Sequence, residues 1–222
     1  MITSLIARCR EPVSGLTHLV SAILAAIGTV VLLWLGRDSP TKFVSLLIYC
    51  TSLTVMFSAS AAYHLSNSTP AIIANLRRFD HASIYTLIAG TYTPICLHYF
   101  TGFWRWGMLA TIWSMALVGV VGNLIYMKAP RWLTTGIYLL MGWLSIMAIK
   151  EILLAIPTTA LLWLILGGLF FTAGAVVYML KTPNFSPHVF GFHEIWHIFV
   201  MLGCFSHFIV IAVYIAPYPS PV

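Results

Sequence analysis

THLVSAILAAIGTVVLLWLG, residues 17–36, is a run of twenty residues without a single Asp, Glu, Lys or Arg. A helix of that length reaches about 30 Å, the thickness of the hydrocarbon core of a bilayer. The run predicts a membrane-crossing helix. Six more runs of similar character follow, near 43–65, 81–100, 104–126, 132–149, 159–180 and 192–215, each set off by charges, proline or Gly-containing polar stretches. The narrowest division is Thr101-Gly102-Phe103; losing it would merge two helices and change the topology. The expectation is an all-α bundle of seven transmembrane helices, one domain over 1–222 with no linker or low-complexity segment.

Composition agrees. Of 222 residues, 60% are hydrophobic and 7% charged, where an ordinary soluble domain has roughly 25% charged. Sixteen charged side chains (eleven basic, five acidic) cannot give a chain of this length a polar shell, so lipid must face most of its surface. The net charge of +6 does not point to nucleic acid, because the Lys and Arg residues stand singly or in pairs between apolar runs. The apolar run after Met1 to Glu11 continues beyond the length of a signal-peptide core, and an uncleaved chain is expected. Cys9, Cys50, Cys96 and Cys204 are far apart, without the spacing of a thiolate metal site.

Positive charge favours the cytoplasmic side of short loops. With a cytoplasmic N-terminus that side holds Arg8, Arg10, Arg77, Arg78, Lys128, Arg131 and Lys181, against Arg37, Lys42, Arg105 and Lys150 opposite, seven to four. This predicts N-in, C-out, the tail Ala216 to Val222 outside, and a multi-pass protein of the cell membrane.

Ionisable residues inside such helices are costly and mark candidate sites. His64 closes the second run, Asp80 opens the third, and His193, Glu194 and His197 open the seventh. All of these helix ends fall on the same side. His193 and His197, four apart, share a helix face at about 5–6 Å, where two imidazoles can grip one ion. His64 can supply a third nitrogen, Asp80 can orient or deprotonate a water, and Ser60 lies one turn before His64 on the same face. As a single buried imidazole, each would more simply serve interhelical hydrogen bonding; together they favour a metal. His207 is too far along the helix, about 15 Å, and is read as packing; His98 is placed in a loop, His18 near enough to reach the site but better read as an interfacial hydrogen bond, and His81 and His188 at the interface. His193-Glu194-Ile195-Trp196-His197 also spells the HExxH of zinc proteases, with Glu194 as base. On a regular helix, however, Glu194 points about 100° away from His193, and a third ligand is still needed.

These residues resemble the hemolysin III proteins, the bacterial branch of the progestin and adipoQ receptor (PAQR) family. The likeness runs through Glu11-Pro12, Thr17-His18, Ser60-Ala61-Ala62-Tyr63-His64, Phe79-Asp80-His81-Ala82-Ser83-Ile84-Tyr85, Ala89-Gly90-Thr91-Tyr92-Thr93-Pro94, Met141-Gly142-Trp143-Leu144-Ser145 and the His193/His197 pair. The resemblance implies seven helices, N-in, and zinc on His64, His193 and His197, with Asp80 and Ser60 beside a bound water. Through a wider group that looks like alkaline ceramidases it implies hydrolysis of a lipid amide or related bond, with membrane lipids as partners and substrate source. Glu194 falls in a variable position of the HxxxH motif. Three functions stand at this point: a zinc-dependent lipid hydrolase, a receptor-like or regulatory protein with structural zinc, and a cytolytic pore; ion or proton transport is a fourth, less suited to ionisable groups gathered at one depth.

Overall fold

The computed structural model describes residues 9–126, 129–186 and 189–218. Arg8, Lys128, His188 and the end of the tail, which entered the readings above, lie outside them. Among the described residues the elements are helices: α1 (Pro12–Leu35), α2 (Pro40–Leu65), α3 (Pro70–Tyr99), α4 (Gly102–Ile125), α5 (Arg131–Trp143), a 3-10 turn (Leu144–Ala148), α6 (Ile149–Ala155), α7 (Thr158–Leu180) and α8 (Phe192–Tyr214). Among the described residues six segments are long and apolar enough to cross a membrane: α1, α2, α4, Arg131–Ala155 taken together, α7 and α8. Their outward side chains are apolar, with Val30 71%, Ile125 79% and Leu154 84% exposed. A surface of that kind belongs in lipid.

The helix ends follow local chemistry. Proline opens α1, α2 and α3, where its missing N–H costs no hydrogen bond. The Ser39 and Thr69 hydroxyls accept from Lys42 N–H and Ile72 N–H at the starts of α2 and α3. The expected division at Thr101-Gly102-Phe103 is present, and Gly102 takes φ of 50°, a left-handed conformation that favours glycine.

Three expectations change. The third helix starts at Pro70, not near 81, so Asp80 sits within a helix and Ser66–Thr69 alone joins α2 to α3. It is thirty residues long and is not among the six apolar segments, because Arg77, Arg78 and Asp80 charge its first turns and Thr91, Tyr92, Thr93, Pro94, His98 and Tyr99 make its later turns less apolar. The fifth run is broken at Trp143 because the Tyr92 hydroxyl enters its hydrogen-bond ladder, reaching the Met141 and Gly142 carbonyls at 2.9 Å and accepting from Ser145 N–H at 3.0 Å. Lys42, read as a loop charge, is buried in the first turn of α2. Its ammonium donates to the Asp38 carboxylate (2.8 Å) and the Tyr218 carbonyl (2.9 Å), joining the α1–α2 turn to the segment after α8.

The largest core cluster joins α1, α2 and α8 through Leu32, Leu46, Tyr49 and Ile211. The α7–α8 contact is close: a Cβ on Gly174 would stand 2.7 Å from Phe199 Cβ and 2.9 Å from Trp196 Cε3. Small residues at such crossings let two backbones approach. This packing holds α8, and the histidines on it, against the rest.

Candidate metal centre

The site is built where α8 begins. The Glu194 carboxylate folds back to accept the Gly191 N–H at 2.8 Å, and its other oxygen accepts from the Ser14 hydroxyl at 2.8 Å. One side chain thus caps α8 and pins it to α1. From that fixed start His193 and His197 project one turn apart, ring centroids 4.7 Å. His64, in the last turn of α2, meets them at 5.0 and 4.8 Å. One ligand atom from each of the three lies within 4.8 Å of the others, and His64 Nε2 is 3.5 Å from His193 Nε2. Among the described residues no other trio of His, Cys, Asp or Glu has this geometry.

Whether these residues suit a metal is a question of their donor atoms. His64 donates its Nδ1–H to Glu11 Oε2, which leaves Nε2 as a lone pair aimed toward His193. Tetrahedral zinc with Zn–N of about 2.0–2.1 Å places two nitrogens roughly 3.3 Å apart, close to the separation found. Two imidazole lone pairs at that range repel unless a proton or a cation lies between them. His64 is 1% and His197 3% exposed, so water does little to relieve them. The trio can therefore hold a metal ion. Glu11 supplies the outer carboxylate that fixes the tautomer and raises the basicity of such a ligand. That hydrogen bond, more than the neighbouring positive charge of Arg10, holds the Glu11 carboxyl below the usual carboxylate range. The backbone reinforces it: Glu11 N–H donates to the His64 carbonyl at 3.0 Å.

Ser60 and Asp80 are both buried and line one cavity of about 150 Å³ with His193 and His197. Asp80 is not part of the ligand trio. Away from the histidines the cavity is apolar, walled by Leu53, Met56, Phe171 and Val200, and it extends to His207. His207 packs as expected, on Phe171 and with Nε2 3.3 Å from the Leu164 carbonyl.

His98 is in the last turn of α3 and buried, not in a loop. His18 is not interfacial: it is 3% exposed and stacked on His197 at 3.9 Å, and neither of its ring nitrogens has a partner among the described residues. Reading the sequence missed Glu11 as a partner of the site, and for His18 it preferred an interfacial hydrogen bond to the place beside the site that the structure gives it. The one signal for both was their place in the Glu11-Pro12 and Thr17-His18 stretches.

Fold and site define a multi-pass membrane protein with a buried three-histidine centre facing an apolar cavity. The sequence profile of the haemolysin-III related family matches residues 6–208, and the chain belongs to that family. Among its relatives, a hemolysin-3 homolog of Bacillus subtilis (strain 168) is 31% identical over 94% of this chain and 96% of its own length. Hemolysin-3 of Bacillus cereus is 30% identical over 95% and 94%. Monocyte to macrophage differentiation factor of Homo sapiens is 26% identical over 92% of this chain and 83% of its own.

Proposed function

We propose that the chain is a zinc-dependent hydrolase of the membrane, cleaving a lipid amide or a related bond. The observation that carries this reading is that His193 and His197, which meet His64 in the ligand trio, line an apolar cavity together with the buried Asp80 carboxyl and the buried Ser60 hydroxyl. A purely structural cross-link needs the imidazoles alone; the cavity and the polar pair beside them suit a bound amphiphile. His64, His193 and His197 would hold the ion. Zinc supplies Lewis acidity and brings the pKa of a bound water down to about 7.

The remaining work falls to the chain itself. Asp80 accepts a proton at its carboxylate and returns it to the leaving group. Ser60 donates its hydroxyl hydrogen to the oxygen that gains charge as the substrate carbonyl is attacked. Glu11 keeps His64 oriented, and the apolar cavity seats the lipid chain and excludes bulk water. The same reading takes α3 as the seventh span and the N-terminus as cytoplasmic. In its support, Ala82–Tyr99 is free of Asp, Glu, Lys and Arg and long enough for about 27 Å.

The test is hydrolysis of a lipid amide by the zinc-loaded protein, in detergent and in bilayers. Asp80→Asn should retain zinc and lose turnover by about 10²–10⁴-fold, whereas Glu194→Gln should spare turnover per folded molecule. Loss with Glu194→Gln and not with Asp80→Asn would make Glu194 the base, as in HExxH proteases. A zinc-replete protein without turnover on any lipid amide or ester would favour the structural, receptor-like role.

A further inference from the structure

Beside the metal centre lies a second, smaller cavity of different character, about 50 Å³, lined by Arg77, His81, Asn123, Tyr126, Arg131 and Tyr178 among others. No lining residue is acidic. The chain has five Asp and Glu in all, and among the described residues neither Arg77 nor Arg131 has a carboxylate within salt-bridge distance. Arg131 is nonetheless held in place. Its guanidinium lies 4.4 Å over the Tyr178 ring and 5.5 Å over the Phe192 ring, with Nη1 donating to the Tyr178 carbonyl at 3.3 Å. A guanidinium has five N–H donors in a planar fork, so most remain for another acceptor. Asn123 is fixed too, donating to the Arg78 carbonyl at 2.8 Å.

Two guanidiniums with no carboxylate within salt-bridge distance among the described residues, one of them stacked and oriented, suit an anion, and the planar fork suits phosphate. Its position adds to this. His81, Thr134 and Tyr178 line both this cavity and the apolar one, and the Tyr178 ring is 5.9 Å from that of the metal-site residue His193.

We infer that this pocket seats an anionic phosphate group whose apolar tail runs through the adjoining cavity, past the metal centre. As a statement about binding this stands on the pocket. As a statement about substrate, an amphiphile with a phosphate head, it rests on the hydrolase reading above. The phosphate can come from a lipid headgroup or from free phosphate, and these two sources are separable by measurement.

Dodecyl phosphate and inorganic phosphate are titrated separately into the full-length, zinc-loaded chain in an uncharged detergent, at fixed ionic strength. Dodecyl phosphate should bind saturably, and Arg77→Gln and Arg131→Gln should each weaken it roughly ten- to a hundredfold. Zinc content is followed alongside. Arg77 is exposed and makes no stacking contact of the Arg131 kind, so Arg77→Gln keeps the test informative even if Arg131→Gln disturbs folding. Dodecyl phosphate binding at least tenfold tighter than inorganic phosphate assigns the site to a lipid headgroup, and equal affinities assign it to free phosphate. Absence of saturable binding, or affinities unmoved by Arg77→Gln and by a folded Arg131→Gln, would overturn the assignment. Binding that ignores both arginines and disappears when zinc is stripped would place the phosphate on the metal and overturn it equally. Because the readout is binding, a chain that holds dodecyl phosphate through Arg77 yet hydrolyses nothing refutes the hydrolase reading alone.

Discussion

Glu11 is the residue whose role most depends on the three-dimensional arrangement. His193 and His197 are legible as a pair because one turn of one helix sets their spacing. His64 is legible only as a ligand type at the right depth. Glu11 is 53 positions from His64, and an acid just before an apolar run reads equally well as an interfacial charge. The contact forms because the start of α1 docks on the end of α2, a fact no local pattern carries. If the carboxylate orients His64, Glu11→Ala should weaken zinc affinity by about 10–100-fold, the usual range for an outer-shell partner. Competition against a chromophoric chelator measures it; affinity equal to that of the unsubstituted chain would make the contact incidental. Glu194 carries the converse lesson. Its HExxH spacing suggests a base, but its oxygens are taken up by the Gly191 N–H and the Ser14 hydroxyl.

Helices were legible where apolar length defines them, and their ends near Gly102 and Lys181 fell close to expectation. What stayed hidden were the places where one element intrudes on another. The break after Trp143 comes from a Tyr92 side chain some fifty positions away. The early start of α3 comes from the Thr69 cap and Pro70, in a polar stretch that an apolarity reading treats as loop. Packing of α8 makes a sharper claim at this scale. Gly174→Ala would press a methyl against Phe199 Cβ, which cannot swing aside, and should destabilise the protein by about 1–3 kcal/mol and loosen zinc binding through α8. Gly136, where an added Cβ meets nothing within 4 Å, is the control: Gly136→Ala should be neutral or stabilising by about 0.5–1 kcal/mol. Thermal unfolding in detergent compares the two, and equal effects would show that the α7–α8 approach does not set the geometry of the site.

Across the whole molecule, the bundle brings every candidate polar group of the site to one end. His64 ends α2, Asp80 follows the polar first turns of α3, and His193 and His197 begin α8. Arg77 and Arg131 lie near that end too, lining the smaller cavity that shares His81, Thr134 and Tyr178 with the apolar one. With α3 as the proposed seventh span and the N-terminus proposed as cytoplasmic, a reporter at residue 1 should be cytoplasmic and one after Val222 should not; both on one side would mean that α3 does not cross. Sequence could place the ligands at a common depth but not around a common point, since that depends on which helices are neighbours. The claim on which the rest depends is that His64, His193 and His197 hold one zinc ion, and elemental analysis of the purified protein tests it most directly. The account predicts about one zinc per chain, strongly reduced in a folded His193→Ala, His197→Ala double variant and unchanged in His207→Ala. Full zinc in the double variant would contradict it.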